Sequence, residues 1–226
     1  MEHQNTGISG FKLFTIISAT LSFFIVNFVF LYDPWTNPSL YPAHYALFFS
    51  CLYSTLFLLW TWAYILTIRQ NKTSPKSVAV IPIQTGQTDG RCEKCRISKP
   101  ERAHHCSTCN VCVEKMDHHC VWTDRCIGYR NYKTFLQFIG YLSIGTFFYD
   151  YLAISFFLNE RNRFGLIVVV AIYLETAIVF LTTLLANSLF VAHLFMASIN
   201  LSTIEYMQGK PFRLFWKQNL ESVRVT

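Results

Sequence analysis

The sequence predicts an α-helical integral membrane protein: four transmembrane helices, with a compact cysteine-rich domain of short β-hairpins and loops between spans 2 and 3. Three observations predict it. Of 226 residues, 52% are hydrophobic and 17% aromatic, which is too apolar for a soluble domain of this size. Four stretches are long enough to cross a bilayer, a span needing about 20 apolar residues. Seven of the eight cysteines and four of the seven histidines crowd between Cys92 and Cys126.

The spans follow in order. Phe11–Tyr32 carries only Lys12, at its edge, and reads as an anchor rather than a cleavable signal because it is too long for an h-region and lacks a basic leader. Tyr45–Ile68 has no charge, Phe135–Leu158 carries Asp150, and Leu166–Ile199 carries Glu175 and is longer than a bilayer requires. Charges inside spans are normally a functional flag; here pairing of Asp150 and Glu175 with Arg161, Arg163 or each other is the plainer expectation. Asp33–Pro38 is a turn, and Trp35 and Tyr41 mark one interface while Trp60, Trp62 and Tyr64 mark the other. The domains expected are 1–68 (tail and spans 1 and 2), 69–134 (linker and cysteine-rich domain), 135–200 (spans 3 and 4) and 201–226 (C-terminal tail). Val78–Ile83 within the linker reads as a short strand or extended segment. No long repeat is evident.

Charge gives orientation. Residues 69–134 hold 12 of the 19 lysines and arginines against six acids, which equals the whole net charge of +6. The positive-inside rule therefore puts this segment and both termini in the cytosol. The basic excess suits anionic lipid headgroups or an acidic small ligand. In a reducing cytosol these cysteines are thiolates on metal, not disulfides. Cys51, alone in the second span, reads as a small buried hydrophobe.

The spacing has zinc grammar. Cys92-x2-Cys95, Cys106-x2-Cys109 and Cys109-x2-Cys112 each let two sulfurs reach one tetrahedral ion from a tight turn. Forty residues cannot bury enough surface to fold alone, so the domain is zinc-stabilised, metal supplying the folding free energy. Two sites need eight ligands, and spacing alone leaves their partition open. Six cysteines and two histidines would fill them, leaving one sulfur over. Cys120 follows Asp117-His118-His119, and a thiol beside imidazole and carboxylate is the arrangement that activates a nucleophile.

The run Cys92-x2-Cys95-x3-Lys99-Pro100-x-Arg102-x2-His105-Cys106-x2-Cys109-x2-Cys112-x4-Asp117-His118-His119-Cys120-x-Trp122-x3-Cys126-x-Gly128-x2-Asn131 resembles the cysteine-rich domain of the Asp-His-His-Cys (DHHC) protein S-acyltransferases. Asn200-x-Ser202-Thr203-x-Glu205 is similar to the family's Thr-Thr-x-Glu element, and Asn219–Val223 to a shortened form of its C-terminal motif. Two positions depart from the pattern: Val121 stands where the family has proline, and Arg125 where it has asparagine. Neither removes a ligand or the nucleophile, so altered rates rather than lost chemistry are expected.

The resemblance implies one zinc on Cys92, Cys95, His105 and Cys112 and a second on Cys106, Cys109, His119 and Cys126. It implies Cys120 as nucleophile, His118 as general base and Asp117 as its orienting carboxylate, in ping-pong transfer of a fatty acyl group such as palmitoyl from acyl-CoA to cysteines of membrane-associated proteins. Thr203 would contact Asp117, carried there by the overlong fourth span projecting from the bilayer. Lys99, Arg102 and His104 are candidates for the coenzyme A phosphates. Trp122 and Gly145 are candidates for an acyl slot, with Gly128, Gly140 and Ser143 giving space nearby. Expected partners are acyl-CoA, lipid, cytosolic cysteines of membrane proteins and an accessory subunit, but no nucleic acid. The expected location is an endomembrane (Golgi, endoplasmic reticulum or vacuole) or the plasma membrane. The rival readings are a non-catalytic membrane-anchored zinc adaptor and a cross-braced zinc ubiquitin ligase, neither of which requires a thioester on Cys120.

Overall fold

The computed structural model describes residues 10–27, 43–70, 91–99, 102–159 and 165–209. Outside them lie the expected turn Asp33–Pro38 with Trp35 and Tyr41, the segment Val78–Ile83, Arg161, Arg163 and the tail motif Asn219–Val223. Among the described residues there are five helices: α1 Gly10–Ile25, α2 Ala43–Gln70, α3 Tyr132–Asn159, α4 Leu166–Ser198 and the short α5 Thr203–Met207. Between α2 and α3 come six strands: β1 Arg91–Cys92, β2 Ile97–Ser98, β3 His104–Cys106, β4 Val111–Val113, β5 His118–Cys120 and β6 Arg125–Ile127.

Among the described residues two helices are long and apolar enough to cross a membrane, over Leu47–Gln70 with mean hydropathy 1.5 and Leu166–Ser198 with 2.3. The other two expected spans fall on α1, whose 16 residues are short at about 1.5 Å rise each, and on α3, which is diluted by Lys133, Gln137, Asp150 and four tyrosines.

The chain divides into two compact units. The first takes the described residues of 1–65 and 137–190. Its core gathers Val26, Tyr53, Tyr149, Leu152, Ala153, Ile172 and Val179. Polar groups on these helices pair with one another, as groups without access to water must. Thr183 donates to Asp150 at 2.6 Å, Ser22 to Glu175 at 2.7 Å and Ser143 to Asn187 at 2.6 Å. Each carboxyl flagged in the sequence thus meets a hydroxyl, while Arg161 and Arg163 lie outside the described residues. Trp60 and Tyr64, expected at a membrane interface, are packed against protein. Four residues apart on α2, they share one face, stack at 5.7 Å and are buried, with Phe138 5.3 Å from Tyr64, while Trp62 points away and is exposed.

The second unit takes the described residues of 66–136 and 191–209. Its six strands form three separate antiparallel hairpins, β1–β2, β3–β4 and β5–β6. They share one plan. Cys92, Cys106 and Cys120 stand fourteen residues apart in turn, and each opens a four-residue turn closed on Ile97, Val111 and Arg125 respectively. The last turn residue is left-handed in all three: Arg96 at φ 56°, Asn110 at 54° and Asp124 at 50°. The sequence reading missed this repeat because the third copy has Thr123 where the first two have Cys95 and Cys109.

After β6 the chain turns into α3 on Asn131, which is fully buried. Its Oδ1 accepts from Gly128 N at 3.0 Å, and its Nδ2 donates to Cys126 O and Thr67 O, both at 3.1 Å. Helix α4 ends in a Schellman motif: Asn200 is left-handed at φ 53°, Asn200 N–H bonds Ala197 O and Leu201 N–H bonds Met196 O. Helix α4 therefore does not run on to Thr203. It stops, turns and restarts as α5.

Gly128 passes so close to the preceding loop that an added Cβ would lie 2.8 Å from Glu114 O. Gly128→Ala should cost about 1–3 kcal/mol by overpacking, measurable as a lower thermal midpoint for zinc release than in the parent protein.

Candidate functional site

The two ligand sets emerge from the hairpin repeat. Residues directly opposite in an antiparallel pair project on one face, and His105 is opposite Cys112 while His119 is opposite Cys126. Each such pair meets the Cys-x2-Cys turn of the hairpin before it. His105 Nδ1 lies 3.6, 3.2 and 4.0 Å from the sulfurs of Cys92, Cys95 and Cys112. His119 Nδ1 lies 3.7, 3.4 and 3.8 Å from those of Cys106, Cys109 and Cys126. Sulfur and nitrogen at ordinary zinc distances stand roughly 3.5 Å apart at tetrahedral angles, so both sets fit zinc. Each is a four-donor group whose ligand atoms all lie within 4.8 Å of one another. The free thiols crowd each other: hydrogen bonding from Cys126 pulls Cys109 down to about 5, and the same contact pushes Cys126 up. A dication removes that conflict by holding every thiol as thiolate. On its outer side His119 Nε2 faces the Asp124 carboxylate at 3.9 Å, in the sense of a carboxylate–histidine–zinc arrangement.

Cys120 occupies the first-cysteine position of the third hairpin. No fourth hairpin follows, since the chain enters α3, and Thr123 stands in the second place. Cys120 is therefore the one sulfur of the cluster outside both sets, and it is 5% exposed.

Around it, Asp117 is 1% exposed. Its Oδ2 accepts from His118 Nδ1 at 2.7 Å and from Thr203 Oγ1 at 2.7 Å, while its Oδ1 accepts from Thr203 N at 2.9 Å. Burial raises the Asp117 carboxyl, but these donors outweigh it and leave it below its ordinary value. Burial likewise lowers His118, yet the Asp117 bond and the neighbouring Cys120 win and raise it to about 9. For Cys120 burial pushes the thiol up, and His118 brings it below its usual value. The balance favours thiolate beside imidazolium, with Nδ1 of His118 spent on Asp117 and the other ring nitrogen available to sulfur.

The remaining predicted residues are distributed unevenly. Thr203 is on Asp117, as above. Arg102, expected to face phosphate, is instead engaged by carboxylate: its Nε donates to Glu205 Oε1 at 2.5 Å and its Nη2 to Glu205 Oε2 at 2.6 Å and Asn200 O at 2.7 Å. A guanidinium so paired has little left for a second anion. Lys99 and His104 are half-buried, His104 on β3, and Trp122 is half-buried in the β5–β6 turn. Gly145 lies on α3 in the first unit, where an added Cβ would meet nothing within 4 Å. Gly140 is packed against Phe190, with a virtual Cβ 2.9 Å from its ring, so it serves close helix contact.

Two features were missed. Glu205 completes a capping box with Ser202, its Oε2 accepting from Ser202 N at 2.8 Å and Ser202 Oγ accepting from Glu205 N at 3.3 Å. The Ser-x-x-Glu spacing carried that signal. His193 on α4 is 4% exposed, and its ring centroid lies 5.7 Å from that of His118. The signal was a histidine inside an apolar span.

The DHHC palmitoyltransferase family matches residues 85–210, more than half of the chain. The chain belongs to that family. Curated relatives agree: it is 31% identical over 155 residues to Palmitoyltransferase ZDHHC20 of Homo sapiens, covering 64% of this chain and 41% of that protein. It is 38% identical over 156 residues to Palmitoyltransferase ZDHHC20 of Bos taurus, with the same shares, and 35% identical over 139 residues to Palmitoyltransferase ZDHHC2 of Rattus norvegicus, covering 59% and 38%. The chain spans about two fifths of the length of these relatives. It is thus a DHHC-family membrane protein with a cysteine-rich zinc-binding site built on short β-hairpins.

The Arg102–Glu205 pair is largely buried, with side chains 19% and 5% exposed. Breaking such a pair from one side costs about 3 kcal/mol or more, because the other charge is stranded. Arg102→Ala should therefore raise deuterium uptake across Ser202–Met207 and lower domain stability by that order, with Glu205→Gln milder in both readouts.

Proposed function

We propose that this chain is a protein S-acyltransferase that moves a fatty acyl group, palmitoyl among them, from acyl-CoA to cysteines of membrane-associated proteins. The observation that carries this reading is Asp117-His118-Cys120 at the edge of one hairpin, between two four-donor sets and with Thr203 bonded to Asp117 through both its amide and its hydroxyl.

The two zinc ions, bound by Cys92, Cys95, His105 and Cys112 and by Cys106, Cys109, His119 and Cys126, would supply structural cross-links, since each set already has four protein donors and keeps no open position for water. The chemistry belongs to the side chains. Asp117 holds the His118 tautomer through Nδ1, and Thr203 fixes Asp117 in turn. His118 takes the proton of Cys120, whose sulfur attacks the thioester carbonyl. The carbon–sulfur bond to coenzyme A breaks, coenzyme A leaves with the electron pair and takes the proton back from His118 to depart as a thiol, and the acyl group is on Cys120. A substrate cysteine then gives its proton to His118 and attacks, and the Cys120 sulfur leaves as thiolate.

Lys99 and His104, half-buried in the second unit, remain the proposed contacts for the coenzyme A phosphates. Four spans, the boundaries 1–68, 69–134, 135–200 and 201–226, and a cytosolic zinc domain on an endomembrane or the plasma membrane complete the proposal; the basic excess of 69–134 supports its orientation. Substrate choice with an accessory subunit belongs to the same reading. Trp122 and Gly145 are proposed acyl-chain contacts, the open space at Gly145 supporting the second.

Labelled palmitoyl-CoA should mark the detergent-purified protein with a bond released by neutral hydroxylamine, and Cys120→Ser should abolish the mark. Equal labelling of both proteins, or none in a chain carrying zinc, would favour the adaptor reading. In the labelling protein, Gly145→Phe should shift preference toward shorter acyl-CoA in a competition assay; an unaltered chain-length profile would remove Gly145 from the slot.

A further inference from the structure

His193 has no part in the chemistry above, yet the second unit brings it to the base. It lies on α4, 4% exposed, and its ring is ringed by three others. His118 stands at 5.7 Å with a 39° tilt, Phe135 edge-on at 5.1 Å and Tyr132 edge-on at 5.8 Å. Phe135 also touches His118, at 5.3 Å and 69°. The ring of His193 is held from behind: Tyr132 Oη lies 3.2 Å from its Nδ1 and donates to its backbone oxygen at 3.3 Å. Donor atoms of Asp117, His118 and His193 all fall within 4.8 Å of one another.

We propose that Tyr132 and His193 form a brace that positions the His118 imidazole. The proposal rests on the reading of Asp117-His118-Cys120 as the acyl-transfer site. His118 sits at the edge of a three-residue strand and has one ring nitrogen tied to Asp117. A base works in one ring orientation, with Nδ1 on Asp117 and the opposite nitrogen toward sulfur. Rotation about the Cβ–Cγ bond loses both contacts, and that bond belongs to a broad, soft torsion in histidine. Rings packed on its side close off the alternative. Phe135 alone would supply an apolar wall. Tyr132 gives His193 what a plain hydrophobe lacks, a hydrogen bond that sets its own ring angle and so the shape of the wall. His193 is thus a positioning residue that acts through His118.

The test is the rate at which iodoacetamide alkylates Cys120 in the full chain in micelles, read peptide by peptide by mass spectrometry so that exposed Cys51 does not contribute. Misplacing a catalytic group by a fraction of an ångström costs tenfold or more, so His193→Ala should slow alkylation about tenfold with zinc content unchanged. Tyr132→Phe, which deletes one oxygen, should slow it in the same direction by less. In a His118→Ala background, His193→Ala should have no further effect, since residues acting through one group are not additive. Alkylation at the parental rate in both single variants would overturn the brace, as would an equal further fall in the His118→Ala background. If His193→Ala sheds zinc, Tyr132→Phe decides alone. The measurement needs no acyl donor, so the two readings fail separately. A chain that shows the His193 effect but takes no palmitoyl keeps the brace and loses the acyltransferase; one that labels normally without the effect does the reverse. In a chain that labels, kcat for acyl-enzyme formation should fall with KM for palmitoyl-CoA unmoved.

Discussion

Convergence of a turn's two sulfurs on the cross-strand histidine–cysteine pair of the next hairpin is the contact on which the second unit depends. It occurs twice, Cys92 and Cys95 meeting His105 and Cys112, then Cys106 and Cys109 meeting His119 and Cys126. Hairpins of two or three residues per strand have almost no core of their own; the apolar cluster here is Val113 and Met116 with two of the cysteines. Metal bonds substitute for that core. Because each ion joins one hairpin to the next, three hairpins make two sites, and the third turn is left with an unused sulfur. Cys120 is free for chemistry because the repeat ends there.

That origin also explains the rigidity around the nucleophile. With His119 in a four-donor set that could hold zinc, its neighbours His118 and Cys120 would be anchored through the backbone of β5. Asp117, one residue earlier, is held by Thr203 from a different part of the chain. Thr203 is held in its turn by the capping box of α5, whose Glu205 is gripped by Arg102. The Asp117 carboxylate is thus fixed by a relay that begins in the loop before β3. The left-handed Asn200 matters for the same reason. A helix that continued past Ser198 would present its residues at 100° intervals, whereas the break lets the Thr203 amide and hydroxyl both address Asp117.

The sequence carried more of the site than of the fold around it. Ligand spacing pointed to two zinc-type donor sets and to one sulfur beyond them next to Asp117 and His118, because these depend on residue identity over short distances. The fourteen-residue hairpin repeat was hidden by Thr123, and the pairing of Arg102 with Glu205 was not legible because one arginine in a basic segment does not announce its partner. Its actual partner lies 103 residues away. The burial of Trp60 and Tyr64 was not legible, because composition cannot tell which face of a helix is covered.

By itself, then, the chain determined the inventory: apolar stretches of membrane length, eight metal donors at turn spacing, and one thiol in excess of them. Local chemistry suffices there, since hydropathy and ligand identity are properties of the residues. The tertiary structure alone decided the hairpin register that gathers each donor set, that α4 must break before Thr203, that Arg102 clamps Glu205, and that His193 lies beside His118. Those depend on hairpin register and on the packing of segments distant in sequence, which no local pattern records.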